Sequence, residues 1–278
     1  MAESLGLVAG SGRFPLLVAE EAKRRGVSVV ALGIPGVTDP SLESVAGGLT
    51  WFKLGQLDAP IKALKDAGVR KVVMAGKVQH VSLFGGVMPD WRAAKVLLGL
   101  KDKRTDTILK AVVAEFAKDG LEFVSSATYL EHLLAPVGPM TKLKFTSEQT
   151  ADAALGWRAA KAVAGFDIGQ TVVVQGLAIV AVEGMEGTDA CVKRAAELAR
   201  SQGKEPALVV VKVAKPRQDF RFDLPVVGRD SLVNFKAAGV KAVALEAGST
   251  LVFDRELFAS DAEAAAIAVA GFPPEGPQ

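Results

Sequence analysis

The sequence predicts an α/β protein in two domains, the first built on a parallel sheet and the second on a mixed one. Three observations predict it. Short apolar, β-branched runs alternate with segments of helical spacing, the pattern of strands joined by crossover helices. Residues 135–140, APVGPM, place two prolines and one glycine in six positions, a composition that breaks regular structure. At 278 residues the chain exceeds the roughly 100–200 residues of one domain. The expected boundaries are an N-terminal domain at 1–135, a linker at 136–146 and a C-terminal domain at 147–278.

The first domain opens as strand, glycine turn, helix. Residues 5–9 are apolar, and Gly10, Ser11 and Gly12 follow. Phe14, Leu17, Val18 and Ala22 then recur at helical spacing until Gly26 ends the helix. Backbone N–H groups of such a turn, with the helix N-terminus, suit an anion. The fingerprint G-x-G-x-x-G is incomplete, because Pro15 stands at its third glycine. A tight turn with no ligand is the equal alternative.

Further strands are expected at 27–32, 49–54 and 72–75. Between the last two lies a helix capped by Asp58 and stopped by Gly68. The result is a Rossmann-like parallel sheet covered by helices. Its fourth strand ends in Gly76 and Lys77, on the same sheet edge as Gly10 to Gly12. Lys77 there is either a phosphate contact or an ordinary surface lysine. Residues 79–91, QHVSLFGGVMPDW, follow no period. Such an apolar loop tucks onto the core, lines a groove for an apolar ligand, or meets a membrane surface. Helices at 91–98 and 106–118, a strand at 121–124 and a brief helix capped by Thr128 complete the domain.

In the second domain Ser147 is the expected N-cap of a helix running to Ala164. Strands at 171–174 and 177–182 meet through Gln175 and Gly176 as a hairpin or bulge. Thr188 is expected to cap the next helix, with Asp189 in its first turn; an anion or sugar site is the other reading. The core strand is 206–213, and a strand at 240–245 ends in Glu246, Ala247 and Gly248. A helix at 261–270 should close the fold, leaving the tail PPEGPQ disordered.

Composition removes several function classes. Half the residues are hydrophobic and 23% are charged, so a normal core forms. The net charge of +2 is too balanced for a nucleic-acid binder. One cysteine, Cys191, excludes internal disulfides and fits a reducing compartment. Two histidines, His80 and His132, leave no multi-histidine metal site and no recognisable nucleophile–base motif. No secretory signal opens the chain, and no apolar run reaches the ~20 residues of a spanning helix. The expected place is a reducing compartment such as the cytoplasm, with the protein soluble or at most peripheral to a membrane.

The densest chemistry follows the core strand, at 212–228, KVAKPRQDFRFDLPVVG. Within twelve residues stand Lys212, Lys215, Arg217, Gln218, Asp219, Arg221 and Asp223. A solvated loop is one reading. The other is a phosphate site that works with a cation, because ligands gather beyond the carboxyl ends of strands. Oxygen ligands with lysines and arginines suit Mg²⁺ or Mn²⁺. Lys212, Lys215 and Arg221 suit charge growing at phosphorus, and Asp223 or Asp219 suits holding the metal or orienting water.

The chain resembles the UDP-2,3-diacylglucosamine pyrophosphatase family of the LpxI type. The resemblance rests on AGSGRFP at 9–15, AGKV at 75–78, EGTDACVKRA at 186–195, KPRQDFRFDLPVVG at 215–228 and EAG at 246–248. It implies metal-dependent hydrolysis of the substrate's pyrophosphate to UMP and 2,3-diacylglucosamine 1-phosphate in lipid A synthesis. Water would attack the phosphorus nearer the sugar, and 147–278 would be the catalytic domain. Carried onto this chain, Asp223 is the essential residue, acting through Mg²⁺ or Mn²⁺, with Asp219 and Lys212 beside it in catalysis. Gly10, Ser11, Gly12, Lys77, Gln79, Thr188, Asp189, Lys215, Gln218 and Arg221 would hold the nucleotide and phosphates. The partners implied are a lipid nucleotide-sugar, the inner membrane surface and no nucleic acid; a homodimer is compatible with this. The rival is a non-catalytic or NAD-dependent nucleotide-sugar-binding protein. Pro15 and the lack of an acidic residue closing the second strand stand against it.

Overall fold

The computed structural model describes residues 3–78, 88–100, 102, 105–216 and 218–277. The chain forms two compact units. One comprises Met1–Leu130 together with Phe220–Asp223, and the other Glu131–Asp219 with Leu224–Gln278.

The first unit is a parallel sheet of β1 (Ser4–Ala9), β2 (Ser28–Gly33), β3 (Leu49–Trp51), β4 (Lys71–Ala75) and β5 (Glu122–Phe123), in the order β3-β2-β1-β4-β5. The strand order reverses between β1 and β4. At such a reversal successive crossovers leave a crevice at the carboxyl edge. Helices α1 (Phe14–Arg24), α2 (Leu42–Ala46), α3 (Asp58–Asp66), α4 (Trp91–Leu98) and α5 (Thr105–Ala117) accompany the strands. Pro15 sits in the first turn of α1, where its missing N–H costs no bond. Leu32, Ile61, Leu64, Val72, Val113, Phe116 and Phe123 fill the core. Phe116 and Phe123 meet edge to face, 5.2 Å between centroids.

Asp58 does not cap α3. The carboxylate of Asp90 does, accepting from Leu57 N at 2.7 Å and Asp58 N at 2.9 Å. Its other oxygen accepts from Ala93 N at 2.8 Å and so caps α4 as well. One side chain thus satisfies two helix starts. Burial raises its pKa most among single influences. The N–H bonds from Ala93, Asp58, Leu57 and Arg92 together outweigh it and hold the carboxyl below its ordinary value.

The second unit carries a mixed sheet of β6 (Gly138–Pro139), β7 (Thr171–Gln175), β8 (Ala178–Val182), β9 (Leu208–Lys212), β11 (Val240–Glu246) and β13 (Ala268–Phe272). Their order is β6-β13-β11-β9-β7-β8. β9, β11 and β13 run parallel, whereas β7 is antiparallel to both β9 and β8. The pair β10 (Val226–Val227) and β12 (Leu251–Val252) forms a small separate ladder.

Strand periodicity sorts the side chains to two faces. Val172, Val174, Val209 and Val211 pack against α6 (Ser147–Gly165) through Ala153, Trp157 and Ala160. Val173, Leu208 and Val210 face α7 (Thr188–Ser201), α8 (Arg229–Ala237) and α9 (Arg255–Ala264). Gly156 lets α6 approach closely, since a Cβ there would lie 2.7 Å from Val211 Cγ2.

Several details differ from the sequence reading. Thr146, not Ser147, caps α6 and forms a reciprocal capping box with Gln149. The brief helix near Thr128 is a 3₁₀ turn at Glu131–Leu133. The alanine-rich 261–270 is not one helix. Ala266 takes a left-handed φ of 54°, and the chain turns into β13 beside β11. Alanine favours helix locally, but a buried slot in the sheet decides. The described part of the tail, 273–277, is tied down rather than loose, because Trp157 Nε1 donates to Pro274 O at 3.1 Å.

Candidate functional site

In the first unit, the turns after β1 and β4 are pressed backbone to backbone. Ser11 N donates to Lys77 O at 2.8 Å, and Lys77 N returns a bond to Ser11 O at 3.1 Å. Ser11 Oγ adds a bond to Lys77 O at 2.9 Å. Gly10 N donates to Ala75 O at 2.8 Å. A Cβ on Gly10 would fall 2.7 Å from Gly76 C and Lys77 O, so glycine is required there. Gly12, at φ +87°, has nothing near its missing Cβ, and Lys77 projects an exposed side chain. Gly10, Ser11, Gly12 and Lys77 are therefore brought together at the carboxyl edge, beside the reversal of strand order. Gln79, the apolar loop at 79–87 and Arg217 lie outside the described residues.

The same unit includes Phe220–Asp223. Phe222 packs against its core cluster. Ser126 N donates to Phe220 O at 2.7 Å, and Ser126 Oγ lies 3.0 Å from Arg221 O and 2.6 Å from Met74 O. Arg221 and Asp223, both half-buried, flank Phe222. A wide, open cavity of about 690 Å³ lies at the ends of β2 and β3, lined by Thr38, Asp39 and Trp51 among others. No site residue named from the sequence lines it.

In the second unit, Lys212 ends β9 and is 8% exposed. Its Nζ donates to Thr188 Oγ1 at 2.7 Å. That hydroxyl donates to Glu183 Oε1 at 3.0 Å and lies 3.2 Å from Thr171 Oγ1. Gly187 occupies the N-cap position of α7, and Thr188 makes no capping bond. The threonine expected to cap the helix instead serves a buried ammonium, whose partners matter more than one orphan N–H. Asp189 is exposed beside it.

Past β9 the chain folds on itself. Gln218 Oε1 accepts from Lys215 N at 2.7 Å, while Gln218 N donates to Lys215 O at 3.0 Å. Lys215 Nζ pairs with Asp167 at 2.6 Å. Glu246, buried at the end of β11, holds the start of this loop. Its Oε2 accepts from Ala214 N at 2.7 Å and from Lys161 Nζ at 2.6 Å. Asp219 belongs to this unit and is half-buried.

Among the described residues, no three His, Cys, Asp or Glu side chains gather to hold a metal ion. Mg²⁺ is commonly held through one or two carboxylates, with phosphate oxygens and water supplying the rest. Burial pushes the Cys191 thiol up to about 12, so no thiolate nucleophile exists near neutral pH.

Residues 4–133 match the LpxI N-terminal domain, and residues 136–270 match the LpxI C-terminal domain. The chain belongs to the LpxI family. The UDP-2,3-diacylglucosamine pyrophosphatase LpxI of Caulobacter vibrioides is 33% identical over 278 residues, covering 98% of both chains. The crystal structure of gox2253 matches 98% of this chain and 78% of that one, at 12% identity and a TM-score of 0.35.

Sequence reading missed the side chains that hold the candidate residues in place. Lys161 and Ser126 lie 52 to 95 residues from what they hold, Thr171 lies 17 from Thr188, and Glu183 lies only five from it. Only Glu246 gave a signal, as a carboxylate at a strand's end.

Proposed function

We propose that this chain hydrolyses the pyrophosphate of UDP-2,3-diacylglucosamine to UMP and 2,3-diacylglucosamine 1-phosphate in lipid A synthesis. The observation that carries the reading is the relationship to the Caulobacter protein of that name along 98% of both chains. The local geometry supports it: the QDFRFD segment is held in place, and the glycine turns present backbone at the edge where phosphates bind.

In this reading a water oxygen bonds to the phosphorus nearer the sugar. The bond from that phosphorus to the bridging oxygen breaks, and the bridging oxygen leaves with UMP. The water's proton goes to solvent through a carboxylate, Asp219 or Asp223. Bound Mg²⁺ or Mn²⁺ supplies charge neutralisation on the phosphate oxygens, with Asp223 as the protein oxygen that holds it. Lys212, Lys215 and Arg221 stabilise charge on the diphosphate. Gly10, Ser11, Gly12, Lys77, Gln79, Thr188, Asp189 and Gln218 orient the nucleotide and the phosphates.

The acyl chains and the inner membrane fit a second feature. Met88, Trp91 and Leu98 are 90%, 84% and 88% exposed. Trp91, Lys95 and Leu98 recur at i, i+4 and i+7, so α4 turns a partly apolar stripe outward. No helix among the described residues is long and apolar enough to cross a membrane.

The test is UMP release from UDP-2,3-diacylglucosamine with and without Mg²⁺ or Mn²⁺. In H₂¹⁸O the label should appear in the lipid phosphate and not in UMP. Asp223→Ala should fold normally and lose about 10²-fold or more in turnover, the scale of removing one preorganised electrostatic element. Wild-type turnover by that variant would overturn the assignment.

A further inference from the structure

We propose that Ser126 is a positioning residue for the reaction, fixing the segment that carries Arg221 and Asp223 to the end of β4. This rests on the reading of Asp223 as the essential carboxylate.

Ser126 is 1% exposed and sits just past β5, a neighbour of β4 in the sheet. Its backbone N–H donates to Phe220 O at 2.7 Å. Its hydroxyl reaches Met74 O at 2.6 Å and Arg221 O at 3.0 Å. A hydroxyl has one proton, so the two carbonyls share it in a three-centred bond. Met74 is the next-to-last residue of β4, immediately before the Ala75, Gly76 and Lys77 turn. One buried side chain therefore refers two pieces of the candidate site to the same point.

Phe222 anchors the same segment from its other side by packing on the core. Asp223 is the next residue. Its backbone is thereby held at a short distance from two fixed points, a hydrogen-bonded carbonyl and a packed ring. A side chain reaching from a short anchored stretch keeps its place only while both anchors hold. A displacement of about 1 Å at a reacting group costs about 10²-fold in rate.

The experiment compares Ser126→Ala and Ser126→Thr with wild type in the full chain. Two readouts are taken: steady-state hydrolysis of UDP-2,3-diacylglucosamine, and hydrogen exchange of the peptide spanning 219–224. Ser126→Ala should lower kcat about 10²-fold with KM within about twofold, and raise exchange at 220–223 about 10-fold or more. Ser126→Thr, which keeps the hydroxyl, should restore kcat to within about tenfold of wild type. Unchanged kcat in Ser126→Ala overturns the proposal, and so does unchanged exchange in the segment. If Ser126→Ala does not fold, Ser126→Cys replaces it with a weaker donor of similar shape. Reduced kcat with raised exchange there supports the role, and wild-type values of either overturn it. If wild type itself releases no UMP, the functional reading fails. The exchange arm still decides whether Ser126 straps the segment.

Discussion

Adding one methyl at Gly10 should cost more than removing most surface side chains, and the structure gives the scale. The new Cβ would lie 2.7 Å from Gly76 C and from Lys77 O, where 3.4 Å begins ordinary contact. Both obstacles are backbone, so neither can rotate away. The two turns must part by roughly 0.7 Å. Ser11 N to Lys77 O, now 2.8 Å, then stretches to the edge of a hydrogen bond, as do Lys77 N to Ser11 O and the Ser11 hydroxyl bond. Three bonds at roughly 0.5–1.5 kcal/mol each, overlapping with an overpacking cost of roughly 1–3 kcal/mol, suggest about 2–4 kcal/mol in all. Gly12→Ala is the control. Nothing lies within 4 Å of its Cβ, so only its φ of +87° is penalised, about 1–2 kcal/mol. Urea unfolding of both variants, with kcat/KM alongside, measures the difference. Gly10→Ala should be the worse in both. A cost under about 0.5 kcal/mol, or one below that of Gly12→Ala, would refute the argument that the two turns are locked together.

Three further outcomes follow from the buried networks. Thr188→Val removes a hydroxyl partner of the Lys212 ammonium and should cost about 1–3 kcal/mol, whereas Thr188→Ser should stay near wild type; urea unfolding distinguishes them. Glu246→Ala strips the carboxylate from Lys161 and Ala214 N and should cost about 2–4 kcal/mol, below the full buried-pair range because Lys161 is 27% exposed. The Lys161→Ala, Glu246→Ala double variant should lose less than the sum of the singles, and strict additivity would contradict the pairing. Asp90→Ala should cost about 1–2 kcal/mol at pH 7. The Asp90 carboxyl is depressed on folding, so its contribution is present above the unfolded value near 3.9 and fades as pH falls through the folded one. An equal cost at pH 7 and at pH 3 would contradict that sign.

The fold was legible where local pattern and tertiary demand agree. The alternation of β1, α1 and β2, the glycine stops and the hairpin of β7 and β8 are all written in nearby residues. Position 261–270 misled because alanine's local preference opposes a strand that only its neighbour β11 requires. The candidate site was read from a cluster of charge past β9. Its supports were not. Ser126 meets partners 52 and 95 residues away, and Lys161 meets Glu246 across 85. A lone serine or lysine carries no periodicity that marks such a pairing. Thr188 shows the opposite failure: a residue type with a common local use, capping, is taken by a distant ammonium.

The membership of Phe220–Asp223 in the first unit bears on the order in which the molecule is made. Although the first unit is encoded first, synthesis must pass residue 223 before its core has Phe222 and Ser126 has its distant carbonyl. Contacts so far apart in sequence carry a large chain-closure entropy and form late. A nascent chain stalled in the second half, or a fragment ending near residue 133, would therefore hold an incomplete first unit with an apolar gap where the ring belongs.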